Sequence, residues 1–277
     1  MINLIRRIRH NHLRKFNNLF LTLGNIYRTI IKLLGSPGYI SHHIGKYGPF
    51  KLDSYFAFSN FSDWGGSHNG GFETLINLSK NKNCILDIGA HIGLVTLPLT
   101  SQISSEGLIH AFEPSDINRK YLKKHIKLNK INNVKIVDFL VGNKNLDQIS
   151  FYESSVPSGK NSIIQRLSSN KLNKKQITID TYCQENQLIP DIIKIDVEGY
   201  EMYVLDGCKE TMKVHKPLII LSVHPSQIIK LNKNPNHIKI FAIQNNYKIK
   251  KIVGKFDFKE FDEFELAEYM FEPIRLK

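Results

Sequence analysis

The residues whose types and spacing could do chemistry gather in three short stretches. The first is Cys84-Ile85-Leu86-Asp87-Ile88-Gly89-Ala90-His91-Ile92-Gly93. Its apolar run reads as a buried strand that stops at an acid and glycines, and the apolar-periodic segment over 92–99 predicts a helix. Such a corner suits a nucleotide-like ligand: glycine lets the backbone approach closely, and the free N–H groups of the helix point back at the turn. In the second stretch, Leu108-Ile109-His110-Ala111-Phe112-Glu113-Pro114, a carboxylate ends the next apolar run. Glu113 lies about 20 residues beyond Gly93, the offset at which an acid on the following strand meets a ribose diol. The third is Asp191-Ile192-Ile193-Lys194-Ile195-Asp196-Val197-Glu198-Gly199-Tyr200-Glu201. Its isoleucines make a buried strand with Asp196 and Glu198 at the carboxyl end, where ligands of a doubly wound sheet bind.

Asp196 and Glu198 are two apart and share a face if the strand continues, whereas Glu201 reads as an acid at a helix N-terminus. His224 ends another buried run, Leu218-Ile219-Ile220-Leu221-Ser222-Val223. Its ordinary pKa makes it the candidate general base. Alternatively, Asp196 and Glu198 bind a divalent ion that acidifies a hydroxyl. Asp138 and Phe139 end a strand over 134–138, at the place an adenine would occupy; Asp138 reads equally well as an exposed strand-end residue. Upstream, residues 63–73 hold the single tryptophan, Trp64, with glycines and the pair His68-Asn69. That composition favours a lid over the site, carrying Trp64, His68 and Asn69 toward substrate. Residues 154–173 read as a long substrate-facing loop.

Strands and helices alternate around these stretches, so the fold class is α/β, a doubly wound Rossmann-like sheet. Helices are expected over 117–128, 200–212 and 238–244, and closing strands over 247–253 and 264–271. Residues 39–61 read as aromatic and irregular, with one short strand at 49–52. The expected division is a helical extension over 1–35, an entrance segment over 36–82 and the Rossmann-like domain over 83–277.

The 277 residues are 42% hydrophobic, enough for a full core, and carry a net charge of +13. Much of that charge lies in residues 1–34, where Arg6, Arg7, Arg9, Arg14, Lys15, Arg28 and Lys32 accompany a helical apolar pattern and no acid. Its most apolar part, over 19–34, is shorter than the ~20 residues a bilayer span needs and is interrupted by Arg28 and Lys32. Two readings stay open: a helix on an anionic membrane surface, or a helix packed on the domain or on a second subunit. Three scattered cysteines argue against a disulfide framework or structural zinc, and point to a reducing, cytoplasmic compartment.

Asp87-Ile88-Gly89-Ala90-His91-Ile92-Gly93, Phe112-Glu113-Pro114, Lys194-Ile195-Asp196-Val197-Glu198-Gly199-Tyr200-Glu201 and His224-Pro225, in this order, resemble the FkbM family of methyltransferases. The resemblance spans roughly residues 84–225. It implies the class I methyltransferase form of the Rossmann-like sheet and methyl transfer from S-adenosylmethionine to an oxygen, often a hydroxyl of a sugar or polyketide. On it, Asp87, Gly89, Ala90, His91, Ile92, Gly93, Glu113, Pro114, Asp138, Phe139 and Asp196 hold the cofactor, while His224, Asp196 and Glu198 act on the acceptor. Two positions depart from the family pattern: His91 stands where Asn is common, and Ser222 where an acid often precedes the His-Pro pair. A nicotinamide oxidoreductase would use a similar corner, but the third glycine of that fingerprint is missing. An RNA-modifying methyltransferase would explain the charge, yet the chain lacks the aromatic-basic interleaving of a single-strand platform, so no specific nucleic acid is expected. A non-catalytic lipid-surface protein would leave Asp196 without a purpose.

Overall fold

The computed structural model describes residues 17–35, 37–66, 69–165, 169–254 and 257–274. Its frame is β3 (Cys84–Ile88), β4 (Leu108–Phe112), β5 (Val134–Val137), β9 (Ile192–Ile195) and β10 (Leu218–Val223), all parallel. Every residue of β3 and β9 is buried, as a strand covered on both faces requires. Alternate side chains go to opposite faces. Ile85, Ile109, Ile192 and Ile220 meet Phe72, Leu75 and Leu97 on one face. Leu86, Ile193, Ile195 and Leu221 meet Val204, Met212 and Ile228 on the other.

The chain runs outward from β3 to β4 and β5, then returns to the other side of β3 with β9 and β10. That reversal opens the crevice between the carboxyl ends of β3 and β9. Beyond β10 lie β11 (Tyr247–Gly254), β12 (Asp257–Lys259) and β13 (Ala267–Pro273), the full order being β12-β11-β13-β10-β9-β3-β4-β5. The last strand, β13, inserts antiparallel between β10 and β11. The architecture is therefore the doubly wound Rossmann-like sheet expected.

Several elements differ from expectation. Residues 39–53 form a hairpin of β1 (Tyr39–Ile44) and β2 (Tyr47–Asp53), turning at Gly45, which adopts φ +55°. The helix expected over 92–99 shrinks to α3 (Thr96–Leu99), because His91 at φ +53° and Gly93 at φ +94° hold left-handed backbone that a right-handed helix excludes. The segment 200–212 divides into α6 (Glu201–Asp206) and α7 (Lys209–His215). The break is at Gly207, where a Cβ would stand 2.0 Å from the Gly142 carbonyl oxygen. The loop over 154–173 is shorter than expected, since β8 (Ser169–Ile177) pairs with β7 (Leu146–Ser154) in a small second sheet with β6 (Leu140–Val141). The other helices are α1 (Asn17–Leu33), α2 (Phe72–Leu78), α4 (Asp116–Leu128), α5 (Ile179–Glu185), α8 (Pro225–Lys230) and α9 (His237–Gln244). Ser115 caps α4 by accepting a hydrogen bond from the Asn118 N–H at 3.1 Å.

Lys194 is the exception in β9, a cation inside an isoleucine strand. It is the register partner of Asp87 on β3, and its Nζ stands 3.3 Å from Asp87 Oδ1 and 3.7 Å from Asp196 Oδ2. Its ammonium also donates to the Gly89 carbonyl at 3.1 Å. Lys194→Met should lower unfolding free energy by about 3–5 kcal/mol, because Asp87 keeps a buried charge without its counter-ion. Urea unfolding checks this, and adding Asp87→Asn should recover a large part of the loss.

Candidate active site

One cavity of about 770 Å³ opens across the carboxyl ends of β3, β4, β9 and β10, within the range of small-molecule sites. Gly89, Ala90 and His91 form part of its wall, with Glu113 and Pro114 beside them. Gly89 adopts φ +85°, and a Cβ there would stand 1.9 Å from the Asp196 carbonyl oxygen, so only glycine lets β9 close against the corner. Four N–H groups of this corner already have protein partners, contrary to expectation. Those of Gly89 and Ala90 donate to the Phe112 carbonyl, at 3.0 and 2.9 Å, and that of Gly93 to Ala90 at 2.9 Å. The His91 N–H donates to Glu113 Oε2 at 2.7 Å.

Glu113 is thereby fixed in place. Its Oε1 accepts from the Ser115 N–H at 2.9 Å and from Asn118 Nδ2 at 3.5 Å. Burial pushes its pKa up to about 7, against those hydrogen bonds and the Arg119 charge. His91 is pushed down to about 4, again mainly by burial, and its Nε2 is buried with no protein partner. Trp64 lines the same cavity, and its Nε1 is likewise buried without a partner.

His224 stands on the opposite wall, just after β10. Its Nδ1 is 2.7 Å from Glu201 Oε1, and its Nε2 is 3.8 Å from Asp196 Oδ1 and 3.7 Å from Glu198 Oε1. Burial alone would lower the histidine, but the hydrogen bond to Glu201 and the charges of Asp196, Glu201 and Glu198 raise it to about 9. Glu201, fully buried in α6, is raised by burial against the pull of His224. It also accepts from the Gly199 N–H at 3.0 Å.

The sequence-predicted residues divide accordingly. Gly89, Ala90, His91, Glu113, Pro114, Phe139, Asp196, Glu198, His224, Trp64 and Asn69 all line the cavity. Asp87, Ile92 and Gly93 do not: Asp87 is fully buried and accepts from Thr96 Oγ1 at 2.6 Å, while Ile92 packs in the core. Gly93 faces Leu122, where a Cβ would stand 2.8 Å from Cδ1. Asp138 is exposed and off the wall, as its second reading had it. His68 lies outside the described residues. Asp196 and Glu198 converge through a turn, with Glu198 at φ +53°, and not along a continuing strand. Among the described residues no group of three or more His, Cys, Asp and Glu side chains is arranged to hold a metal ion.

Three wall or support residues escaped the sequence reading. Glu201 stands in the first turn of α6 and Lys194 in β9, as their positions suggest, but the sequence does not show that one engages His224 and the other Asp87 and Asp196. Glu268 on β13 is the third: it is the register partner of Ser222, and the Gly71 N–H donates to its carboxylate. Burial, followed by the opposing Gly71 hydrogen bond and the Asp196 charge, leaves its pKa at about 7. It brings a carboxylate beside the position where Ser222 lacks one.

A family model described as the methyltransferase FkbM domain matches residues 87–264. The chain belongs to this family of S-adenosylmethionine-dependent methyltransferases. The match favours methyl transfer over the nicotinamide alternative. Among solved structures, the FkbM methyltransferase from Methylobacillus flagellatus KT is 19% identical at a TM-score of 0.45. The aligned region covers 69% of this chain and only 44% of that protein. TYW2 from M. jannaschii, in complex with AdoMet, is 20% identical at a TM-score of 0.41, covering 86% of this chain and 87% of that one. A precorrin-6y C5,15-methyltransferase from Geobacter metallireducens GS-15 is 14% identical at a TM-score of 0.41, covering 74% and 88%. No curated protein matches the FkbM chain significantly.

In this chain the His224 imidazole should remain protonated up to about pH 9. Glu201→Gln removes the hydrogen-bonding charge that raises it, so its titration should move down toward the ordinary histidine range. NMR titration of the labelled ring reads both values.

Proposed function

We infer that this FkbM-family protein moves a methyl group from S-adenosylmethionine to a hydroxyl oxygen of a small molecule or sugar. The observation that carries this reading is the His224–Glu201 pair facing Asp196 and Glu198 across the cavity from Glu113. The wall fits the cofactor: a buried carboxylate for a ribose diol, an unpartnered His91 Nε2, and adequate volume. Gly89, Ala90, His91, Glu113, Pro114 and Phe139 would hold it. When bound it supplies an electrophilic methyl on a sulfonium, so the protein chiefly orients the acceptor and removes its proton.

His224 takes that proton on Nε2, the nitrogen facing the acidic pair, while Glu201 holds Nδ1 and stabilises the resulting imidazolium. To act as a base the ring must first be neutral. A positive charge held near Asp196 would oppose the carboxylate field that retains the proton and lower the ring's pKa. Asp196 and Glu198 orient the acceptor hydroxyl. In the free enzyme, kcat/KM should therefore rise with pH toward about 9.

Titration calorimetry and a methyl-transfer assay on polyol and sugar acceptors, with RNA as the contrasting acceptor, test the reading. S-adenosylmethionine should bind, and Glu113→Ala should weaken it by at least ~10-fold. Glu113 is largely protonated below pH 7 in the free protein, and a diol needs the carboxylate. Affinity should thus fall as pH drops below 7 and level off above it. His224→Ala should retain cofactor binding but lose ~10²–10⁴ in kcat. Transfer to RNA alone, or unchanged turnover in His224→Ala, would overturn the assignment.

A further inference from the structure

Helix α1 turns its aliphatic stripe outward. On its inward side Gly24 is buried, the Tyr27 hydroxyl donates to the Ser54 carbonyl at 3.0 Å, and Ile31 packs on the core that contains Phe56 and Phe72. The Tyr27 ring also meets Phe58 edge-on at 4.9 Å. The helix is thus docked by a narrow, partly polar seam. Leu23, Ile26, Ile30 and Leu33, at spacings of three and four, are exposed by 50%, 50%, 49% and 81%, and Leu34 continues the row at 64%. These positions form one stripe along the helix. A helix whose only task was to cover its domain would bury that stripe.

Charge identifies what covers it. Residues 1–34 contain seven lysines and arginines and no acid, and α1 carries no acid in its first turn. Arg28 and Lys32 lie on the helix itself, Lys32 Nζ reaching the Ser155 carbonyl at 3.4 Å. A second copy of the chain would bring two such cationic segments together, which repel. Over the described positions 23–34 the stripe is aliphatic, without the aromatic anchors of a protein–protein hot spot. No helix among the described residues is long and apolar enough to cross a membrane.

We propose that α1 is a membrane-surface helix, which lays Leu23, Ile26, Ile30, Leu33 and Leu34 into the headgroup boundary of an anionic bilayer. The apolar stripe and the basic segment are the two signals that stable surface binding requires. The inference is independent of the methyl acceptor.

Flotation of the full chain tests it, using phosphatidylcholine vesicles with and without roughly 30% phosphatidylglycerol. The chain should float with the anionic vesicles and stay behind with the neutral ones. Salt near 1 M should weaken the binding, since it shortens the Debye length to about 3 Å. Ile26→Gln/Ile30→Gln/Leu33→Gln alters only exposed positions, so circular dichroism and S-adenosylmethionine affinity should be unchanged while vesicle partitioning falls by at least ~10-fold. Failure of the wild-type chain to float with anionic vesicles would overturn the proposal. So would undiminished flotation of the triple variant. A wild-type dimer that the triple variant makes monomeric, without vesicle binding, would assign the stripe to a second copy instead.

Discussion

The site depends on one buried cation. Lys194 sits among isoleucines in a strand covered on both faces, where an ammonium without partners would be intolerable. Asp87, Asp196 and the Gly89 carbonyl answer it from two different strands and the turn between sheet and helix. That interaction joins the glycine corner to the end of β9. The Asp196 N–H donates to the Ile88 carbonyl at 3.0 Å, and the missing Cβ of Gly89 makes room for the Asp196 carbonyl. The distance from the Gly89–His91 wall to the His224 cluster is therefore set by backbone contact, which flexes far less than a pair of long side chains.

Charge within the cavity is arranged by burial against pairing. Glu113 and Glu268 are both lifted to about 7, while His224 is lifted to about 9 by the acids around it. Groups displaced in this way cluster where chemistry is done. Glu201 has a directional task beyond its charge. By engaging Nδ1 it leaves Nε2 toward Asp196 and Glu198, so the orientation of the ring in the cavity is fixed by a residue behind it.

What was legible in the sequence was local. Cys84–Ile88 and Ile192–Ile195 announce themselves as unbroken apolar runs because parallel central strands are buried on both faces. Gly89, Glu113 and His224 follow each at a strand end, so one topological rule placed them together. Glu201 is the helix-terminal acid its position suggests, but its hold on His224 was hidden because that partner lies 23 positions away and meets it only through the packing of α6 on β10. Glu268 was invisible for a stronger reason: it reaches the wall only because β13 inserts between β10 and β11. The hairpin of β1 and β2 hid behind mixed His, Tyr and Lys positions, and β8 behind a run of polar residues that pairs without burying one clean face.

His91 shows how a departure from the family pattern is accommodated. Its backbone takes the left-handed conformation, in which histidine, like asparagine, is enriched among non-glycine residues. The main chain is held there because its N–H secures Glu113, so the strain is borne by the same contact that fixes the carboxylate. The ring then presents a buried Nε2 with no protein partner, a group that costs about 1–3 kcal/mol when left unsatisfied. Burial also holds the ring neutral, pushing it down to about 4. A neutral imidazole adds polarity to the wall without adding positive charge. A ligand group that reached Nε2 would recover that cost.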